Sequence, residues 1–238
     1  MAIITVSEKD FNESNLYYVQ NCTQEILNTT ESRYSIKRLG SRAVLTIDCP
    51  DEYSDIVSAE VSDKLADIVA INYKYDFFKK NVQVSGLNSV EYEILMASLI
   101  AADLDEDKRY SFERLKGSRD LAVDGIYNFR LQPLKKKWSD IVSYIPTGFM
   151  GSQLKEFISY LLENKRKRIY IEEGRVYDAH YRRLKKSSLL GGDKVSIVRE
   201  ALLSNCGEIE LFGELPKDDE KYLKEYYGDR IVFANGRY

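Results

Sequence analysis

The chain has 238 residues, of which 44% are hydrophobic and 31% charged, a globular balance that excludes extensive disorder and permits one large or two small domains. Its net charge is −3, and its 3 cysteines show no C-x-x-C spacing, which argues against a zinc site or a disulfide framework. Because it has neither a basic leader nor a run of about 18 apolar residues, we expect a soluble cytoplasmic protein without a membrane span.

The first 50 residues predict a β-α-β-β segment. Residues 2–6 form a short β-type run, and apolar residues at helical spacing predict a helix over about 15–28. Two further β-type runs flank Gly40-Ser41, and this spacing predicts a hairpin whose turn contains the glycine.

Residues 51–164 predict a central helical block. Apolar residues recur every three or four positions from Ile56 to about residue 82, which indicates one long helical stretch. Ser118 is a candidate N-cap for a helix over 119–130, and Pro133 stands in the first turn of the helix that carries Trp138. The remaining helices of the block are predicted at 89–102, in a further segment that ends at 116, and at 152–164.

After residue 165 the sequence returns to the alternating pattern, with a period of two residues, that is typical of β-strands. Strands are predicted at 168–172 and 175–177, with Gly174 in the tight turn between them. Asp193 is a candidate N-cap for the next helix, and short strands near 208–212 and 230–234 flank an acidic helix at about 217–227. We therefore predict an α+β fold, in which a central helical block is flanked by small β-containing N- and C-terminal parts.

The same pattern divides the chain into three consecutive segments. These are an N-terminal β-α-β-β segment (1–50), a helical block (51–164) and a C-terminal α/β segment with short strands (165–238). Two arrangements of the terminal strands fit the sequence, because periodicity does not define strand pairing: separate lobes, or one common sheet.

The most distinctive stretch of the sequence is 123–131, Val-Asp-Gly-Ile-Tyr-Asn-Phe-Arg-Leu. It resembles the D-G-F-x-x-F-R-L core of the YtxC-like sporulation protein family. The segments 73–78, 156–162 and 228–232 are also similar to elements of that family. The family occurs in spore-forming Firmicutes and has no established biochemical activity. The resemblance thus implies a divergent member with a role in sporulation, and it carries over no catalytic residue.

The motif also has a structural interpretation. On a helix, Ile126 and Phe129 would share one side, while Asp124 would face another. Gly125 would allow a helix or an aromatic ring to approach closely, and Asp124 and Arg130 would find ionic partners at a helix junction. The residues of the family-like motif are therefore Asp124, Gly125, Phe129 and Arg130.

Other patterns predict no catalytic residue, metal or cofactor. The three aspartates at 103–107 lack the glycine and glutamate of a calcium loop, so we interpret them as a solvated acidic helix end. His180 is the only histidine, which excludes a catalytic triad and a two-histidine metal site. The loop 191–193 precedes a helix, but Asp193 would repel a phosphate, so a capped turn is the better interpretation.

Positive charge is concentrated in one part of the sequence. Residues 131–199 hold 15 Lys+Arg and 7 Asp+Glu, a net charge of +8, although the whole chain carries −3. Tyrosines interleave with the basic clusters, a composition typical of a polyanion-binding face. Solvated helix ends, or a partner with an acidic surface, are the alternative explanation of the charge. The candidate polyanion-binding residues are Lys165, Arg166, Lys167, Arg168, Tyr170, Arg182, Arg183, Lys185 and Lys186.

Our leading functional prediction is a non-enzymatic protein that resembles the YtxC-like family and acts through contacts with an unidentified protein partner. The alternative is a nucleic-acid (polyanion) binding protein that uses the basic, tyrosine-interleaved patch at 165–186. An enzyme with an unrecognised pair of carboxylates is the third hypothesis, because 38 acidic residues make chance pairs inevitable.

Overall fold

The computed structural model describes residues 1–9 and 12–234. Its elements, in chain order, are β1 (Ala2–Lys9), α1 (Glu13–Thr29), β2 (Arg33–Leu39), β3 (Arg42–Cys49), α2 (Ser54–Asp67), a π-helical turn (Ile68–Tyr73), α3 (Lys74–Asn81), α4 (Ser89–Ala101), α5 (Leu104–Leu115), β4 (Asp120–Ala122), α6 (Val123–Phe129), α7 (Gln132–Tyr144), α8 (Gly151–Leu162), β5 (Lys167–Glu172), β6 (Arg175–Tyr177), α9 (Ser196–Leu203), β7 (Cys206–Phe212), α10 (Lys217–Tyr227) and β8 (Ile231–Phe233). The predicted α+β class, with helices between two β-containing ends, is confirmed.

The described residues form two compact units, each of which combines segments that are distant in sequence. The first unit contains the described residues of 1–73 and 105–139, and the second contains those of 74–104 and 140–234. Among the described residues, each unit holds one four-stranded sheet, so the terminal strands do not meet in a common sheet. The division into three consecutive segments stays a prediction about domains.

The sheet of the first unit has the strand order β2-β3-β1-β4. The predicted hairpin is confirmed as β2 and β3, and β1 pairs antiparallel with β3 from Ala2 opposite Cys49 to Lys9 opposite Arg42. β4 lies parallel to β1, with Val6 opposite Leu121. Alternate residues of β1 and β3 are buried, and α1 packs against these two strands, so this face forms the core of the unit.

The sheet of the second unit has the strand order β6-β5-β7-β8. β5 and β6 form an antiparallel hairpin, whereas β5, β7 and β8 are parallel and are linked through α9 and α10. Helix α9 packs against β6 and β7 and also contacts α10. The helices therefore line one face of the sheet and bury its alternate apolar side chains.

The helix predicted over 119–130 is wrong in its first part. Residues Asp120–Ala122 form strand β4 beside β1, and the helix begins only at Val123. The backbone carbonyl of Arg119 accepts a hydrogen bond from the Thr5 N–H at 2.7 Å, which draws this segment into the sheet. A tertiary pairing thus overrides the local helical pattern.

The predicted N-cap at Asp193 is also wrong. Helix α9 begins at Ser196, after Val195 in a left-handed conformation, and it has no side-chain cap of its own. Its free N–H groups at Ile197 and Val198 instead donate to the carboxylate of Asp219, at 2.9 and 3.0 Å. The helix is therefore capped by a residue of α10, across the tertiary fold.

Two interpretations of single residues need correction. Among the described residues, a Cβ placed on Gly125 would meet only the Ala122 Cβ, at 3.6 Å, so no helix or ring in that part of the chain approaches this glycine closely. Asp107 is fully buried, where the Trp138 indole N–H donates to it at 2.8 Å and Lys137 pairs with it. The interpretation as a solvated helix end is thus wrong for Asp107, which belongs to the core, although Asp105 is exposed in the first turn of α5.

Candidate functional site

The C-terminal sheet has an outer face that its helices leave in contact with solvent. On the inner face Ile169, Ile171, Val176 and Leu211 are buried, while the residues that alternate with them are half-buried or exposed. We call these outer residues, with the loop that follows β6, the tyrosine face. It comprises Arg168, Tyr170, Glu172, Arg175, Tyr177, Tyr181, Arg183, Glu208, Glu210, Phe212 and Val232.

Three tyrosine rings form the centre of this face. Tyr170 and Tyr177 lie opposite each other on β5 and β6. The ring of Tyr181 stacks on both, with centroid separations of 5.1 Å to Tyr170 and 5.6 Å to Tyr177 and interplanar angles of 26° and 29°. Offset stacks of this kind hold aromatic rings in defined positions, so the face has a preformed aromatic surface.

The position of Tyr181 depends on the loop that carries it. The carboxylate of Asp178 accepts backbone hydrogen bonds from His180 and Arg182, at 2.8 and 2.9 Å. Tyr181 lies between these two donors with φ = 59°, a left-handed conformation that is costly for a residue with a side chain. The Asp178 contacts therefore keep the loop in a form that brings Tyr181 over the sheet.

Opposite charges are balanced across the tyrosine face. Arginines at 168, 175 and 183 accompany glutamates at 172, 208 and 210. Arg168 donates to Glu208 through two nitrogens, at 2.7 and 3.0 Å, and its third nitrogen lies 3.7 Å from Glu210. The Glu208 carboxylate, which accepts these hydrogen bonds, raises the pKa of Arg168 and neutralises this cation locally.

The basic residues predicted from the sequence do not all lie together. Arg168 and Arg183 are on the tyrosine face, and Arg182 is exposed in the adjoining loop. Arg166 and Lys167 are exposed where the chain enters β5, and the half-buried Lys165 lies in the turn before them, with its backbone against Gly207. The half-buried Lys185 and Lys186 precede a short turn that is bound to α9, since the Lys186 N–H donates to Glu200 at 3.0 Å.

Sequence reasoning missed the buried charges that hold this part of the chain. Arg199 is 1% exposed and donates to the carbonyls of Gly191 and Gly192, at 2.8 and 2.6 Å. Glu200 accepts N–H groups from Lys186 and Ser187, and its burial raises the pKa of its carboxyl group. The signal was an Arg-Glu pair inside an apolar helical run, a position that charged residues occupy when they are paired. The glycine loop is thus a structural anchor of α9.

The family-like motif lies in the first unit. Arg42 binds Asp124 through two nitrogens, and this interaction lowers the pKa of the Asp124 carboxyl group. Gly125, Phe129 and Arg130 line an open cleft of about 270 Å³ beside β4. Asp124 thus has the ionic partner that the sequence predicted, although the partner lies on a strand and not at a helix junction.

Comparisons with known proteins add no assignment. No family model matches the chain, and neither a curated protein nor a solved structure matches it. The resemblance to the YtxC-like family therefore stays a prediction. Within residues 1–9 and 12–234, no helix is long and apolar enough to cross a membrane, and no group of three or more His, Cys, Asp or Glu side chains could hold a metal ion.

Proposed function

We propose that this protein is a cytoplasmic, non-enzymatic member of the YtxC-like family that acts in sporulation through contact with a protein partner. The observation that carries this proposal is the tyrosine face, where three stacked rings lie on a solvent-facing sheet among equal numbers of arginines and glutamates. Tyrosine and arginine are the residues enriched at the energetic centres of protein interfaces. The sequence contains no catalytic motif, which supports the non-enzymatic part.

The charge pattern favours a protein partner over a nucleic acid. Arg175 and Arg183 lie on the β6 side of the tyrosines, whereas Glu208 and Glu210 lie on β7. Because Arg168 pairs with Glu208 and lies near Glu210, a phosphate backbone would meet net attraction only on the β6 side. A protein surface with an apolar centre and an acidic patch facing β6 would be complementary to this charge pattern.

Binding of a polyanion is the second candidate. Three cations outside the ion pair with Glu208, namely Arg166, Lys167 and Arg182, are exposed near the same edge of the sheet. If they formed a phosphate-binding track, affinity for DNA would fall steeply with salt, and the double variant Arg166→Glu/Lys167→Glu would abolish it.

The proposal can be tested by affinity capture from a sporulating culture, with the tagged full chain as bait and nuclease treatment of a parallel sample. We expect the captured partner to survive nuclease and to be reduced at least roughly tenfold by Tyr181→Ala or Arg175→Glu, the scale of an interface hot spot. Tyr160→Ala is the matched control, because Tyr160 is 74% exposed on α8, outside the tyrosine face.

Two results would contradict the proposal. Equal capture by Tyr181→Ala, Arg175→Glu and the wild-type chain would remove the tyrosine face from the contact. Release of the captured material by nuclease, together with a steep salt dependence, would favour the polyanion alternative.

A further inference from the structure

The cleft beside β4 has features that its own packing does not explain. It is open to solvent, has a volume of about 270 Å³, and lies in the first unit, separate from the tyrosine face. Of the residues that the structure describes, six line it: Asp120, Ala122, Gly125, Ile126, Phe129 and Arg130. Its walls are thus apolar, with one carboxylate and one guanidinium at the rim.

Gly125 keeps the cleft open at a cost to helix α6. Glycine inside a helix is less stable than alanine by about 1 kcal/mol. Since a Cβ at this position would meet, in the described part of the chain, only the Ala122 Cβ, at an ordinary 3.6 Å, packing among these residues does not require glycine. A larger side chain would instead occupy the cleft. The glycine therefore leaves this space open to solvent.

Phe129 gives a second, independent indication that the cleft suits an apolar group. Its side chain is 84% exposed, although the neighbouring Ile126 is buried. Leaving a large aromatic ring in water forgoes about 1.5–3 kcal/mol that burial would provide. When an apolar group enters the cleft, it covers the Phe129 ring, and this burial contributes that free energy to binding.

The backbone beside the cleft is an open strand edge. In the described part of the chain, β4 is the last strand of its sheet and pairs only with β1. The Arg119 carbonyl points toward β1, where it accepts the Thr5 N–H. Because backbone groups alternate in direction along a strand, those of Asp120 and Ala122 point away from β1, toward the free edge.

We propose that this cleft binds an extended peptide segment of a partner protein. The segment adds to the free edge of β4 as a further strand, and one apolar side chain enters the cleft between Ile126 and Phe129. Arg130, exposed at the rim, pairs with an acidic residue next to that apolar one. A volume of about 270 Å³ accommodates one Leu, Ile or Met side chain and leaves room for water.

The test uses an array of synthetic ten-residue peptides with randomised positions, probed with the full chain. We expect enrichment of peptides in which an acidic residue lies next to a branched or Met side chain. Gly125→Leu should lower their binding at least tenfold while the midpoint of thermal unfolding stays equal or rises, because leucine fills the cleft and favours the helix. Arg130→Gln should relax the preference for the acidic residue.

A second variant distinguishes a loss of binding from a folding defect. Phe129→Ser removes the exposed wall without touching the core, and Leu39→Ser is the control, because Leu39 is 63% exposed on β2 of the same unit. We expect only the first to weaken binding. Failure to enrich any peptide, or equal binding by wild type, Gly125→Leu and Phe129→Ser, would overturn the proposal and leave the proposal for the tyrosine face untouched.

Discussion

Glu8 is a buried carboxyl group that the strand pattern places on the core face of β1, after Ala2, Ile4 and Val6. The Tyr73 hydroxyl lies 2.9 and 2.8 Å from its two oxygens, and the Lys9 N–H donates to it at 3.0 Å. Burial outweighs these hydrogen bonds and raises the pKa of Glu8. A raised pKa means that the folded state favours the protonated acid, so stability falls as pH rises through that pKa.

Glu8→Gln should therefore stabilise the protein at high pH. Glutamine keeps an acceptor for the Lys9 N–H, and the Tyr73 hydroxyl can turn to accept its amide hydrogen, while the buried charge is removed. We expect the free energy of unfolding to exceed that of the wild type by about 1 kcal/mol at pH 8, and this difference to shrink as the pH falls toward 4.

Urea denaturation across this pH range measures the effect of Glu8→Gln. Glu25→Gln, which changes an exposed carboxylate on α1, is the control and should leave the unfolding free energy nearly unchanged. A Glu8→Gln variant that is less stable at every pH, or whose difference from the wild type does not vary with pH, would contradict this account of Glu8.

At the scale of elements, a bulge fixes how β5 meets β7. Lys167 lies opposite Cys206 and Arg168 lies opposite Glu208, so Gly207 is an extra residue in β7. A Cβ on Gly207 would lie 1.9 Å from the Lys165 carbonyl oxygen, a distance that no packed atom tolerates. The turn between α8 and β5 therefore requires glycine at this position.

Gly207→Ala should destabilise the second unit by about 2–3 kcal/mol, the cost of overpacking against backbone that has little freedom to move. Gly148→Ala is the matched control in the same unit, because a Cβ there would meet nothing within 4 Å. Chemical denaturation compares the two variants. Equal stability would show that the chain relaxes around the bulge more easily than its geometry implies.

Elements with strong local patterns could be predicted from the sequence, and elements held by distant contacts could not. The hairpin around Gly40 and the helix predicted at 89–102 are confirmed as β2–β3 and α4, because turn chemistry and capping are local. β4 has only three residues and exists through its pairing with β1, more than a hundred positions away. The turn at 68–73 is π-helical, but its apolar spacing resembles that of an α-helix.

In the candidate site, too, local features could be predicted from the sequence and features that depend on distant contacts could not. The interleaving of tyrosines with basic residues was visible in the sequence, and the structure stacks Tyr170, Tyr177 and Tyr181. The neutralisation of Arg168 was not visible, because Glu208 is 40 positions away and reaches it only through the pairing of β5 with β7. The charge of a surface depends on strand partners that composition does not reveal.

At the scale of the whole molecule, each of the two units contains a buried cysteine whose reaction with a thiol reagent would indicate that the unit has opened. Cys49 is buried in the first unit and Cys206 in the second, while Cys22 is half-buried on α1. Burial raises the pKa of Cys49, and it raises the pKa of Cys206 to about 11. Because the thiolate is the reactive form, both groups should be inert until local or global unfolding exposes them.

Thiol labelling with mass-spectrometric readout should therefore follow a fixed order. Without denaturant we expect Cys22 to react first, and Cys49 and Cys206 at least roughly a hundredfold more slowly, since their reaction needs an opening of several kcal/mol. Gly207→Ala should accelerate Cys206 by about thirtyfold or more, the factor that corresponds to 2 kcal/mol, and should leave Cys49 nearly unchanged. Gly148→Ala should alter neither rate. Equal acceleration of Cys49 and Cys206 by Gly207→Ala would contradict independent opening, because it would mean that both units unfold in one cooperative step.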